Sequence, residues 1–87
     1  MYIAVAWYRA DQWAQLLQVS ADAGDLESTY EQWHEQATRK MKLFRAQGMN
    51  VHEVPIDVDE LLKWCEAQDR PVDAEARASF VLAKIEA

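Results

Sequence analysis

The sequence predicts an α+β fold dominated by helix, in the order strand, helix, helix, strand, helix, helix. Two observations carry this prediction: one long amphipathic stretch from Asp25 to Gln47, and two short runs of strand-forming residues at 2–8 and 50–56. The composition is 51% hydrophobic with only 2 Gly and 2 Pro, which argues against disorder and against a loop-rich scaffold. A chain of 87 residues corresponds to a single domain, residues 1–87.

The first run, residues 2–8, is apolar throughout and rich in β-branched and aromatic side chains. Ile3, Val5 and Trp7 fall on one face and alanines on the other, which is typical of a strand buried on both faces. No Gly or Pro interrupts the chain before Ser20. A helix over residues 2–20, and with it an all-α fold, is therefore the alternative.

A helix from Ala10 to Val19 and a turn over Ser20–Gly24 lead into the predicted central helix, Asp25–Gln47. Acidic side chains fill the first half of that helix and basic ones the second half, an order that complements the helix dipole. Gly48 suits the left-handed position that ends a helix, with Met49 folding back on it. The stripe facing the core comprises Leu26, Tyr30, Trp33, Ala37, Met41 and Phe44.

The second strand is predicted at Asn50–Ile56, where Pro55 points to an edge position or to the end of the strand because proline cannot donate to a ladder. Asp57 is placed to cap a third helix whose buried stripe includes Cys65. Asp73 caps a fourth helix that runs to about residue 86.

The long connection between the two strands permits a parallel pair but leaves their orientation open. The first strand is apolar on both faces and free of proline, as an inner strand would be, yet this chain offers nothing to pair with its second edge. We therefore expect the small sheet to be completed by dimerisation. In that homodimer the first strand pairs with its own copy across a two-fold axis, and the proline-bearing strands lie outermost.

The charge balance is acidic, with 9 Lys and Arg against 15 Asp and Glu and a net charge of −6. Basic residues outside the central helix are scattered, so we predict no nucleic-acid partner. The apolar run at residues 2–8 is too short for a membrane span and lacks the basic region of a secretory signal. Together with the single cysteine, Cys65, this predicts a cytoplasmic protein without a membrane partner.

The sequence contains several short motifs: an A-W-Y-R start ending at Arg9, a central T-Y-x-x-W ending at Trp33, an I-D-x-D turn from Ile56 to Asp59 followed by the W-C pair ending at Cys65, and an A-R-x-x-F ending at Phe80. These motifs resemble those of a group of small bacterial proteins of unknown function. The resemblance covers nearly the whole chain. It implies no activity, cofactor or functional residue.

Cys65 with His34 or His52 is the candidate set for nucleophilic catalysis, which needs a thiolate and a hydrogen-bonded base. Cys65 lies on the apolar stripe of its helix, where a free cysteine behaves as a small hydrophobe, and no nucleophile signature surrounds it. The closely spaced ligand pairs of zinc sites do not occur in the sequence. We therefore predict no catalytic residue, no metal site and no cofactor.

Aromatic residues next to an arginine form a second pattern of candidate functional residues. Trp7, Tyr8 and Arg9 follow the first strand, and Trp64 falls one step off its helix stripe, so these four are the candidate partner-binding residues. Trp33 and His34 are the candidate lining of a ligand pocket between the sheet and the central helix.

The first hypothesis for function is a non-enzymatic interaction or regulatory module, a homodimer that presents an aromatic surface to a protein partner. A small-ligand carrier and a small enzyme that depends on cysteine or histidine are the alternatives.

Overall fold

The structure is a computed structural model, and it describes residues 2–86. Two strands and four α-helices follow one another in the predicted order, which confirms the helix-dominated α+β fold. Two single 3-10 turns, Ala10–Gln12 and Ala23–Asp25, precede α1 and α2. The elements are β1 (Tyr2–Trp7), α1 (Trp13–Val19), α2 (Tyr30–Ala46), β2 (Asn50–Pro55), α3 (Val58–Ala67) and α4 (Ala74–Glu86).

The two strands pair in parallel, with Tyr2 opposite Asn50 and Trp7 opposite Pro55. The amide of Ile56 donates to the Trp7 carbonyl at 2.9 Å, so the peptide groups of Trp7 face β2. Because these groups alternate in direction along a strand, every second residue of β1 turns its own toward β2 and the residues between turn theirs away. The outward set is Tyr2, Ala4 and Ala6.

Helix α2 covers one face of the sheet and α4 the other. The Trp7 ring lies 5.1 Å from the ring of Trp33 on α2, while Ala4 and Ala6 face α4. Most of the core lies on the α4 side, because α1 and α3 pack there with α4. The buried apolar core comprises Tyr8, Trp13, Leu16, Ile56, Val58, Leu61, Cys65, Val72, Ala76, Phe80 and Val81.

The prediction that β1 is buried on both faces holds only in part. Ile3, Ala4, Val5, Ala6 and Trp7 are each half-buried in the single chain. Both faces are covered by helices, but in the described part of the chain only one edge has a neighbouring strand, so solvent reaches β1 from the other edge.

The central helix begins at Tyr30, so the prediction that it starts at Asp25 was wrong. Thr29 has extended backbone angles, and its Oγ1 accepts a hydrogen bond from the amide of Gln32 at 3.2 Å. This hydroxyl cap gives the helix a start that the apolar periodicity does not show, because Leu26 keeps the spacing while lying outside the helix.

The predicted caps at the later helices are present. Asp57 Oδ1 accepts from the amide of Glu60 at 3.1 Å, and Asp73 Oδ1 accepts from the amide of Ala76 at 2.8 Å. Gly48 has a φ of +83°, and the amide of the following Met49 donates to a carbonyl one turn back in α2.

Candidate functional site

The outer edge of β1 is the first feature of the candidate site. No other strand in residues 2–86 pairs with it, so the amides and carbonyls of Tyr2, Ala4 and Ala6 lack ladder partners. The strand carries neither charge nor proline. The outer edge of β2 differs, because Glu53 and Pro55 lie there, and a charge and a proline are the usual devices that block strand addition.

A groove of about 310 Å³ runs between β1 and α2, and we call it the α2 groove. Its walls are partly apolar and partly polar, and its charged residues are sorted, with Asp25 and Glu27 before α2 and Lys40 along the helix. The lining comprises Val5, Asp25, Leu26, Glu27, Trp33, Gln36, Ala37, Lys40 and Phe44.

A second groove, of about 480 Å³, runs between β1 and α4 on the opposite face, and we call it the α4 groove. Alanines of both elements leave it wide, because a methyl group fills little of the space between a helix and a strand. The lining comprises Tyr2, Ala4, Val5, Ala6, Tyr8, Ala74, Arg77, Ala78, Val81 and Leu82. Both grooves open beside the same strand.

An ion pair lies at the Tyr8 end of the α4 groove. Arg77 donates to both carboxylate oxygens of Asp22, at 2.9 and 2.7 Å, and both side chains are largely shielded from solvent. The hydrogen bonds from Arg77 lower the pKa of Asp22, and the carboxylate in turn raises the pKa of Arg77. Both groups are therefore charged over a wide pH range.

Tyr8 lies beside this pair and is 6% exposed. Burial raises its pKa to about 12, partly offset by the positive charge of Arg77. Tyr8 lines the α4 groove together with Arg77. Its phenol therefore stays protonated, and neutral, at neutral pH.

An aromatic cluster lies where β1 meets the start of α2. The ring of Trp33 lies 5.1 to 5.5 Å from the rings of Trp7, Tyr8, Trp13 and Tyr30. The exposed His34 adds an outer layer, 5.5 Å from Trp7 and 5.6 Å from Tyr30. The result is an aromatic surface made of His34, Tyr30 and Trp7 over a buried base.

The predicted partner-binding residues do not form one site. Trp7 is half-buried in the aromatic cluster, Tyr8 is buried, and Arg9 is exposed and paired with Asp11 at 3.2 Å. Trp64 is half-buried at another place. Its ring lies 5.4 Å from that of Phe80, and the guanidinium of Arg70 lies 5.5 Å from its centre. Phe80 itself lies in the core.

The predicted ligand-binding pair is also divided. Trp33 lines the α2 groove, as expected for a pocket between the sheet and the central helix. His34, the next residue in the helix, belongs to the aromatic surface and does not line the groove.

Cys65 is 1% exposed within the core, whereas His34 and His52 are exposed on α2 and β2. Burial raises the pKa of the Cys65 thiol and so disfavours the nucleophilic thiolate. No group of three His, Cys, Asp or Glu side chains in residues 2–86 is arranged to hold a metal ion.

No family model, curated protein or solved structure matches this chain. The motifs that resemble those of small bacterial proteins have local structural roles here. Asp57 caps α3, Arg77 binds Asp22, and Phe80 lies in the core. None of the helices in residues 2–86 is long and apolar enough to cross a membrane.

Sequence reasoning missed the α4 groove and the Asp22–Arg77 pair. Ala74 and Ala78 carry no chemical signal, and Asp22 and Arg77 are separated by 55 positions. It also missed Gln12, whose buried side-chain oxygen accepts from the amide of Val58 at 2.9 Å and so joins the 3-10 turn before α1 to the start of α3. Of these residues, only Arg77 belongs to a motif noted in the sequence, the short A-R-x-x-F.

Proposed function

We propose that this protein is a non-enzymatic interaction module that works as a homodimer, formed by antiparallel pairing of the β1 edges of two copies. The observation that carries the proposal is the open outer edge of β1, which is uncharged, free of proline and apolar on both faces.

An unpaired strand edge is a template for another strand, and proteins usually block such an edge. In the two-stranded sheet of this chain, only the outer edge of β2 carries such blocking residues, Glu53 and Pro55. Pairing of two β1 edges converts two marginal two-stranded sheets into one four-stranded sheet with both blocked strands outermost. A two-fold axis makes the same surface serve both copies.

The aromatic surface of His34, Tyr30 and Trp7 is the proposed contact for a protein partner of the dimer. Aromatic rings with an adjacent polar group are favoured anchors in interfaces. The homodimer presents this surface twice, so a partner with two matching sites binds both copies with avidity. We place the module in the cytoplasm, because its only cysteine is kept as a buried thiol.

A matched pair of proline variants tests the homodimer. Ala4→Pro removes an amide from the open edge of β1, and Glu53→Pro removes one from the outer edge of β2, so each substitution spares the ladder between the strands. Native mass spectrometry is expected to show a dimer for the wild type and for Glu53→Pro, and a monomer for Ala4→Pro. Circular dichroism checks that both variants fold.

A wild-type protein that stays monomeric at micromolar concentration would contradict the proposal. So would a folded Ala4→Pro variant that dimerises as strongly as Glu53→Pro.

The α2 groove supports a second candidate, a carrier of a small apolar ligand. Trp33, Leu26 and Phe44 line a space of about 310 Å³, which is the lower end of the volumes of ligand sites. A mass increment retained on the native protein, and lost in Ala37→Trp, would favour the carrier function.

A further inference from the structure

The outward peptide groups of β1 are arranged symmetrically about one residue. Within residues 2–86 the amides and carbonyls of Tyr2, Ala4 and Ala6 have no ladder partner, and Ala4 is the middle of the three. In an antiparallel pair, a residue that turns its peptide groups outward bonds to one that does the same. A two-fold axis at Ala4 therefore uses all three residues at once: Ala4 pairs with the partner's Ala4, and Tyr2 with the partner's Ala6.

Such an axis stands perpendicular to the sheet, so the same face of both copies lies on the same side. Tyr2 then projects on the face of the partner's Ala6, which is the α4 face. Directly opposite side chains in an antiparallel pair have Cβ atoms about 5 Å apart, within reach of an aromatic ring. The large side chain of Tyr2 thus lies opposite the small side chain of the partner's Ala6.

Tyr2 is 52% exposed in the single chain, where its ring lies 4.5 Å from the ring of His52 on β2, so it must turn away from His52 to reach the partner. Leu82 beside the same groove is 56% exposed. The α4 groove next to Ala6 has room for a phenol ring, since Ala74 and Ala78 form its far wall. Tyr8 and Arg77 also line this groove, and a phenol hydroxyl, which can both donate and accept, can bond with their polar groups. The groove therefore suits a tyrosine better than an aliphatic side chain.

The charges on the α2 face favour the same antiparallel arrangement. Helix α2 runs antiparallel to β1, because it starts beside Trp7 and returns to β2 at Asn50, opposite Tyr2. Asp25 and Glu27 consequently lie toward the Trp7 end of the α2 groove, and Lys40 toward the Tyr2 end. Antiparallel copies bring the acidic end of each groove to the partner's Lys40, whereas parallel copies would bring like charges together.

We propose that the Tyr2 side chain of a second copy occupies the α4 groove, with the two-fold axis of the homodimer at Ala4. The proposal rests on the homodimer described above and adds to it a register, an anchor residue and the pocket that receives the anchor.

Disulfide trapping tests the register. Opposite residues of an antiparallel pair lie about 4.5 to 5.5 Å apart at Cα, a spacing that a disulfide can span. Ala4→Cys is expected to form a covalent dimer on mild oxidation. Val5→Cys, which does so only if the axis passes through Val5, is expected to stay unlinked. The wild type is the control, since its Cys65 is buried. Cross-linking through Val5→Cys instead of Ala4→Cys would overturn the register.

Sedimentation velocity tests the anchor. Tyr2→Ala is expected to weaken the dimer by about tenfold or more, as for truncation of an aromatic anchor. Ala78→Leu, which fills the groove from the exposed face of α4, is expected to weaken it similarly. Leu43→Ala, the loss of another exposed apolar side chain that lines neither groove, is expected to leave the dimer unchanged.

The outcomes separate the anchor from the dimer. A Tyr2→Ala protein that dimerises like the wild type, while Ala4→Pro is monomeric, would overturn the anchor and leave the homodimer standing. A monomeric wild type would overturn both.

Discussion

Arg77 joins the last helix to the segment between α1 and α2. Its two hydrogen bonds to Asp22 fix the fork of the guanidinium, and Tyr8 packs alongside. A charge pair that is largely shielded from water is costly to break by removing one partner, because the other remains poorly solvated. This pair sets one end of the α4 groove, so its geometry matters for the proposed anchor as well as for stability.

We expect Asp22→Asn to lower the free energy of unfolding by about 1 to 3 kcal/mol at neutral pH. The matched control is Glu35→Gln, which breaks the exposed pair of Glu35 with Arg39 and should cost less than about 0.5 kcal/mol. Urea unfolding at a fixed protein concentration measures both values. Equal losses in the two variants would show that the Asp22–Arg77 pair has no special role.

The acid limb of the stability curve provides a pH signature of the same pair. The pKa of Asp22 is lower in the folded chain than in the unfolded chain, so its contribution is complete above the unfolded pKa and is lost as pH falls through the folded pKa. Stability of the wild type should therefore fall more steeply on acidification than that of Asp22→Asn. Unfolding curves recorded at a series of pH values measure this, and parallel acid limbs would contradict the assignment.

Ionisation of Tyr8 should lower the free energy of unfolding at alkaline pH. Its folded pKa of about 12 lies above the ordinary tyrosine value, so the unfolded chain loses the phenol proton first as pH rises. Stability should fall by roughly 1.4 kcal/mol per pH unit between about pH 10 and 12 from this group alone. Tyr8→Phe should lack that loss in the same unfolding series. A variant whose alkaline limb matches that of the wild type would contradict the assignment.

The ends of α2 illustrate how far local chemistry predicts an element. Gly48 was identified correctly because a left-handed cap has a compositional signal. The start was misplaced because apolar spacing continues through Leu26, and only the hydroxyl of Thr29 marks the boundary. Periodicity shows which face is buried, whereas the caps decide where the backbone turns.

We expect Gly48→Ala to destabilise the fold by about 1 kcal/mol, because an alanine at a φ of +83° is strained by its Cβ. Gly24→Ala is the control, since Gly24 has no positive φ and a Cβ there meets nothing within 4 Å. Thermal unfolding compares the two. An equal effect of both substitutions would mean that the cap conformation does not matter.

The fold class and the open strand edge could be read from the sequence, since strand patterning and the position of Pro55 are local signals. The strand orientation, the two grooves and the Asp22–Arg77 pair could not, because they depend on which segments meet in space. Trp64 shows the same limit. Its place off the helix stripe was read correctly, but its neighbours Phe80 and Arg70 come from elsewhere in the chain.

The distribution of charge over the whole molecule allows a further test of the dimer. Lys40 lines the α2 groove, while Lys42 on the same helix is exposed and lines neither groove. Lys40→Glu and Lys42→Glu change the net charge equally, so any difference between them reports position. We expect Lys40→Glu alone to weaken the dimer severalfold in sedimentation velocity, because it meets the partner's Asp25 and Glu27. Equal weakening would indicate only general repulsion.

Hydrogen exchange of the β1 amides, followed by nuclear magnetic resonance, tests the paired edge most directly. Val5 and Trp7 turn their amides toward β2 and should be protected in monomer and dimer alike. Ala4 and Ala6 turn theirs outward, so the homodimer predicts protection at these two residues that grows with protein concentration. Fast exchange of Ala4 and Ala6 at every concentration, beside a protected Val5, would mean that the edge stays open and that the homodimer does not form.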